Sequence, residues 1–288
     1  MRPMWPVLAL LYAASFWGVI WYPLRLLEAG GLSGTWETLV SYAAALLVLA
    51  PAGWGVRGEW RRHPGDLGLL AIASGWTNLA FILAMLDGTV IRVLLLFYLS
   101  PLWATLLGRW LLGERLERIT ALTLPLGLLG VGMMLWPADP GALGGLQLAD
   151  GLALTAGIAF ALSNVITRRL RDTGVVTRTL AAWVGVVLVA GGAVLLRQEP
   201  PPAASGEIWL GAVALGACGF LTATLAVIYG VSHMPVQRSA VILLFELLVG
   251  GASAWWLAGE AMEPREWLGG GLIVAAGFLS ATRGDRHE

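Results

Sequence analysis

Apolar residues run along this chain in long blocks, separated by short clusters of Gly, Pro and charge. Ten blocks approach the roughly 20 mainly apolar residues that a helix needs to cross a hydrocarbon core. They cover residues 5–27, 35–54, 67–86, 91–112, 120–136, 150–168, 178–196, 208–230, 237–257 and 266–282. Connections are short, as in Pro137-Ala138-Asp139-Pro140-Gly141 and Glu199-Pro200-Pro201-Pro202, and leave no room for a soluble domain. The first run passes a cleavage-like stretch at Ala13-Ala14-Ser15 and continues to about Leu27, which reads as an uncleaved first span. The pattern predicts an all-α integral membrane protein with ten transmembrane helices.

Composition agrees with that pattern. Hydrophobic residues make up 58% of the 288 and charged residues only 12%, about half the charged share of a soluble domain. A bilayer accepts so much apolar surface because the outside of the protein is also apolar. The 38 glycines suit membrane helices, which approach closely where side chains are small. Net charge is zero, so nothing points to nucleic acid. One cysteine, Cys218, excludes an intramolecular disulfide and reads as a buried, inert thiol. Histidines 63, 233 and 287 show no metal-ligand spacing, and no cofactor is expected.

All basic residues are arginine, which makes the charge asymmetry easy to read. With the N-terminus in the cytoplasm, 14 arginines fall on that side, among them Arg57, Arg61, Arg62, Arg109, Arg168, Arg169 and Arg178. Only Arg25, Arg92, Arg197 and Arg265 fall on the other. The positive-inside rule then places both termini in the cytoplasm and requires an even number of spans. Of the 15 tryptophans, Trp5, Trp54, Trp110, Trp136, Trp209, Trp255 and Trp267 sit near span ends, as an aromatic belt does. Trp17, Trp76, Trp103 and Trp183 lie deeper, where packing is the ordinary reason.

The two halves, residues 1–145 and 146–288, resemble each other. A shift of 146 brings Arg92 onto Arg238, Trp110 onto Trp256, Gly113-Glu114 onto Gly259-Glu260 and Glu117 onto Glu263. A shift of 144 brings Phe16 onto Phe160, Arg25 onto Arg169, Glu28 onto Asp172 and Gly30 onto Gly174. Five spans per half force the second half to insert inverted relative to the first. Inverted repeats are the signature of secondary transporters.

Two tandem five-helix units, each with a Gly-Glu span terminus followed by a Gly-rich helix, resemble the drug/metabolite transporter superfamily of the EamA type. The matching stretches are Leu112-Gly113-Glu114-Arg115-Leu116 with Gly127, Gly130 and Gly132, and Ala258-Gly259-Glu260 with Gly269-Gly270-Gly271 and Gly277. Ala261 replaces the arginine of the first unit. By general likeness, the chain is similar to the YddG-type amino-acid exporters of bacterial inner membranes. The resemblance implies a basket of ten helices in which spans 1–4 and 6–9 enclose a central cavity and spans 5 and 10 stand aside. It implies export of amino acids and related metabolites. The small residues of spans 5 and 10 could join these spans within a monomer or between the copies of a homodimer.

Transporter sites lie near the bilayer midplane, so polar and aromatic groups at span centres are the candidates. Glu246 is the only charged residue at a span centre. An acid there costs about 2.5–3.5 kcal/mol on insertion scales and needs a wet cavity or a partner. Its structural alternative is a protonated acid bonded between helices. Ser239, Glu246 and Ser253 recur every seven residues and share a face with Gly250 beside it. Ser100 stands opposite Glu246 under the 146 shift, and Pro101 breaks the helix bonding of span 4. Tyr98, Trp17, Trp21, Phe81, Thr222, Tyr229 and Phe245 supply aromatic or hydroxyl groups at similar depth. Asn78 and Asn164 carry amides that must find partners when buried, either in the cavity or as bonds between helices. Pro101 and Gly250 are the candidate hinge or gating positions.

A cavity of this composition suits small zwitterions with an apolar or aromatic side chain, moved by alternating access. Glu246 alone could couple transport to protons, and facilitated diffusion needs no such group. The rival reading is a proton-coupled exporter of cationic drugs or quaternary amines, which would use the same acid and aromatic rings. No paired carboxylates, His cluster or Ser-Lys pair at one depth suggests an enzyme, and no nucleotide-binding loop is present.

Overall fold

The computed structural model describes residues 4–113, 125–130, 132–133, 147–233, 242–243, 245–260 and 263–283. All regular structure among them is helical. The first half contains α1 (Trp5–Val19), α2 (Trp21–Ala29), α3 (Gly34–Leu49), α4 (Pro64–Asp87), α5 (Val90–Phe97) and α6 (Ser100–Leu112). The second contains α7 (Leu148–Arg169), α8 (Val175–Leu196), α9 (Gly206–Ala214), α10 (Leu221–Ser232), α11 (Phe245–Ala258) and α12 (Pro264–Arg283).

Among the described residues, seven helical stretches are long and apolar enough to cross a bilayer. They are Trp5–Ala29, Gly34–Val56, Pro64–Asp87, Val90–Leu112, Leu148–Arg169, Val175–Leu196 and Gly206–Gly230. Two shorter apolar stretches, Phe245–Ala258 and Trp267–Ala276, fall within the ninth and tenth expected spans. Most of the fifth expected span, 120–136, lies outside the described residues. The chain is a multi-pass membrane protein, and its described residues form no strand.

Helices of one half pack chiefly on helices of the other. The α4 helix lies against α7 and α8, α3 against α8, α1 against α10 and α11, and α5 and α6 against α7. Glycine makes the closest crossings possible. A Cβ on Gly185 of α8 would sit 1.9 Å from the carbonyl oxygen of Ala71, and one on Gly75 would sit 2.5 Å from the carbonyl oxygen of Gly185. With no water to drive apolar surfaces together, such close contact supplies the van der Waals energy that holds membrane helices.

Two departures from regular α geometry shape the centre of the bundle. The 206–230 stretch contains a π turn at Leu215–Phe220. There Gly216 meets the Ser41 backbone so closely that a Cβ would lie 1.8 Å from its carbonyl oxygen. Ser41 Oγ donates to the Ala212 carbonyl at 2.9 Å. The widened turn carries Phe220, which is 1% exposed, into the centre of the bundle. The other departure, between α5 and α6, shapes the candidate site.

Candidate functional site: a central aromatic cavity with one acid

The expected fourth span is broken at Tyr98–Leu99, between α5 and α6. Pro101 has no N–H to give to the carbonyl four residues back, that of Phe97. Gly157 of α7 lies against this carbonyl, and a Cβ there would stand 2.9 Å from the oxygen. The break turns Tyr98 inward, and its hydroxyl donates to Glu246 Oε2 at 2.5 Å. The two residues come from opposite halves of the chain.

Glu246 occupies the first turn of α11, where that helix crosses α1. A Cβ on Gly18 would lie 2.8 Å from the backbone carbonyl oxygen of Glu246 and 3.0 Å from the nitrogen of Gly250. One turn further on, Ser253 Oγ accepts from Trp21 Nε1 at 2.9 Å. The same oxygen lies 3.0 Å from the Gly250 carbonyl and 3.3 Å from that of Gly18. The crossing therefore fixes the height and rotation of Glu246 before its side chain makes any contact.

Glu246 and Tyr98 face a cavity of about 490 Å³. Six sequence candidates line it: Trp17, Asn78, Phe81, Tyr98, Ser100 and Glu246. Thr77, Phe97, Phe160, Thr224 and Ile273 complete much of the wall. The rings form two groups, one around Phe220 and one around Phe97. Trp17 stacks on Phe220 with centroids 5.6 Å apart and planes 10° apart. Tyr42 lies 4.7 Å from Phe220, and Phe97 lies 4.8 Å from Phe81 and 5.1 Å from Phe160. Asn78 donates to the Ser74 carbonyl at 2.8 Å and accepts from the Tyr42 hydroxyl.

The remaining candidates stand elsewhere. Trp21 is buried in the α1–α11 crossing. Asn164 is exposed and lies one helical turn past Phe160, off the cavity. Thr222 bonds to the Tyr12 hydroxyl at 2.7 Å and to its own helix at the Cys218 carbonyl, 2.6 Å away. Cys218 itself is exposed, not buried as expected, because its helix face turns away from the bundle. Tyr229 packs on His233, with ring centroids 4.4 Å apart. Phe245 is beside Glu246 in sequence but about 100° round the helix, and it is 38% exposed. Gly250 serves the close crossing. Pro101 is placed as backbone at the span-4 break, and Ser239 lies outside the described residues.

Sequence reasoning missed Tyr42, Phe97 and Thr224. Tyr42 and Phe97 sit among apolar neighbours with no spacing that distinguishes them from core, and Thr224 reads as a hydroxyl bonded back to its own helix. The resemblance placed span 10 to one side, yet Ile273 and Val274 of α12 close one wall of the cavity.

Polar contacts between the halves lie at both ends of the bundle. At one end, Arg25 Nη1 lies 3.1 Å from Glu260 Oε1 and Arg25 Nη2 donates to the Gly88 carbonyl at 2.6 Å. Glu260 Oε2 accepts from the Val90 amide at 2.8 Å. Arg92 Nε approaches Asp150 Oδ1 at 2.7 Å. At the other end, Arg169 Nε lies 3.4 Å from Asp66 Oδ2. Glu59 Oε2 there accepts from Thr177 Oγ1 at 2.6 Å and from the Gly174 amide at 2.8 Å. The Thr177 bond, and then the Gly174 bond, hold the Glu59 carboxyl below its ordinary range.

A helical membrane bundle with a mid-depth cavity of rings, amide and one carboxyl has the build of a small-molecule transporter. Residues 4–136 and 147–282 each match the EamA-like transporter family, and the chain belongs to that family. An uncharacterised transporter from Archaeoglobus fulgidus is 30% identical over 216 residues, 74% of this chain and 75% of that protein. Protein RarD from Streptomyces exfoliatus is 27% identical over 288 residues, 92% of this chain and 84% of the relative. A solved crystal structure with 19% identity has the same fold, with a TM-score of 0.65 across 100% of this chain and 99% of its own.

Proposed function

We propose that this transporter exports amino acids, chiefly neutral and aromatic ones, together with related small metabolites. It works by alternating access between two inverted five-helix repeats, ten spans in all, in a bacterial inner membrane with both termini in the cytoplasm. Transport is facilitative, down the substrate gradient. The observation that carries this reading is the Tyr98–Glu246 pair, set in a cavity otherwise made of rings, hydroxyls, aliphatic chains and one amide.

A carboxyl backed by a phenol offers a counter-charge to an α-amino group. The rings offer flat apolar surface to a side chain, and cation–π attraction adds to it. Among the described residues no arginine lines the cavity, which disfavours a dedicated carrier of anions, for which the guanidinium fork is the fitting group. The substrate's own carboxylate would meet hydroxyl and amide donors such as Ser100 and Asn78. Rocking of one half on the other exposes the site alternately, because the helices that enclose it are drawn from both halves.

Counterflow in proteoliposomes tests the reading. Vesicles loaded with unlabelled phenylalanine should transiently accumulate labelled phenylalanine with pH equal on both sides. Accumulation only under an imposed proton gradient would replace facilitated diffusion with proton exchange. Counterflow of quaternary amines, with none of any amino acid, would put the cationic-drug exporter in its place.

A further inference from the structure

A second cavity, larger than the central one, opens on the side of the bundle. Its volume is about 870 Å³. It runs between α5, α11 and α12, and its walls are almost wholly aliphatic, with Leu94, Leu95 and Leu248 among them. At one end stand Trp255 and Trp267, 69% and 66% exposed, together with Glu260, already engaged by Arg25 and the Val90 amide. At the other end stand Leu247 and Val274, which also line the central cavity. Two side chains are thus common walls of both spaces, and the next residue along α11 from Leu247 is Glu246.

We infer that this groove is a lateral route from the bilayer to the central site for lipid-partitioned amines, with Leu247 and Val274 as the partition that such a ligand displaces. The inference rests on the proposed function, since it takes the Glu246 cavity as the substrate site, and it adds a second class of substrate that arrives by a different path. The occupant follows from the lining. Apart from Glu260 at the mouth, which Arg25 and the Val90 amide already hold, the described walls offer no charge to replace hydration, so a zwitterion gains nothing in the groove and pays its desolvation. An aromatic or aliphatic amine that crosses as the neutral base loses little there. Past Leu247 the first polar group it meets is the carboxyl that can hold it as the cation. The exposed tryptophans fit the interfacial depth at which amphipathic molecules collect.

The experiment compares labelled phenylalanine with labelled phenethylamine, which lacks only the carboxylate, in counterflow on the full chain in proteoliposomes. Gly271 and Ala275 line the groove and not the central cavity. A Cβ on Gly271 meets nothing within 4 Å. Gly271→Phe therefore fills the groove without touching the substrate site, and Ala275→Phe is the second plug should the first fail to yield a monodisperse protein. Each should slow phenethylamine counterflow roughly tenfold, since a bulky ring in a confined space is not absorbed by repacking, and leave phenylalanine within about twofold. Equal loss of both substrates, or of neither, overturns the route. Wild-type protein that moves phenylalanine and not phenethylamine overturns the route and leaves the proposed function standing. Wild-type protein that moves neither removes both. A plug that halves the particle mass with both fluxes unchanged makes the groove a contact between copies, which also overturns the route.

Discussion

Glu246 and Tyr98 depend on each other. The tyrosine hydroxyl is the donor that the carboxyl has in the cavity wall, and a hydrogen bond to a charged group contributes about 1.5–3 kcal/mol. If an amine takes the same carboxyl, Glu246→Gln should raise the half-saturation concentration for phenylalanine by about 10–100-fold, the same energy expressed as affinity. Counterflow at graded substrate concentrations measures it, and an unchanged value removes Glu246 from the binding site. Tyr98→Phe should weaken substrate binding less than Glu246→Gln does, because the acid remains for the amine. Asn164→Ala and Phe245→Ala should leave affinity within about twofold, the ordinary scale of substitutions remote from a site, since neither side chain lines the cavity.

At the scale of the element, glycines set how close the helices lie. Gly185→Ala forces a methyl group onto the Ala71 carbonyl, 1.9 Å from where its Cβ must stand. Backbone cannot swing aside as a flexible side chain would, so overpacking should cost about 1–3 kcal/mol and lower the melting temperature in detergent. Gly192, in the same helix, faces nothing within 4 Å. Gly192→Ala should be neutral or stabilising by up to about 1 kcal/mol through helix propensity. Equal melting temperatures for the two variants would contradict the close α4–α8 crossing. Pro101 and the π turn at Leu215–Phe220 act at this scale too. Each re-aims a ring, Tyr98 in one case and Phe220 in the other, towards the centre of the bundle.

At the scale of the molecule, polar contacts join the halves at both ends, and one of them lies outside the spans where pH acts simply. The Glu59 carboxyl is held low by Thr177 and Gly174. A depressed folded value means stabilisation that is present above the unfolded carboxylate range, near about pH 4.3, and lost as pH falls through the lower folded value. The difference in thermal stability between wild type and Glu59→Gln should therefore hold steady from neutral pH to about pH 5 and shrink below about pH 4. A difference that grows on acidification would contradict the assignment. Glu260→Gln, at the opposite end, removes the charge that Arg25 faces while keeping an oxygen for the Val90 amide. It should increase labelling of a cysteine introduced into the cavity, Ser100→Cys on a Cys218→Ser background, by membrane-impermeant reagents added from that side.

The sequence alone determined the membrane class, the approximate positions of the described helices, and the family. These are properties of hydrophobic run length and of spacing along one chain, and transfer into lipid depends on little else. It also singled out Glu246, because one acid in an apolar block is conspicuous whatever the fold around it. Tertiary structure decided which aromatic and amide residues surround that acid. Trp17 and Trp21 are a single turn apart and equally plausible as sequence, yet one lines the cavity and the other is buried against Ser253. Asn78 and Asn164 divide in the same way. Helical phase says which residues share a face, but the element which that face meets depends on crossings between distant helices. Those crossings were set by backbone contacts at glycines, such as Gly18 with α11 and Gly185 with α4, which leave no trace in a hydrophobic pattern.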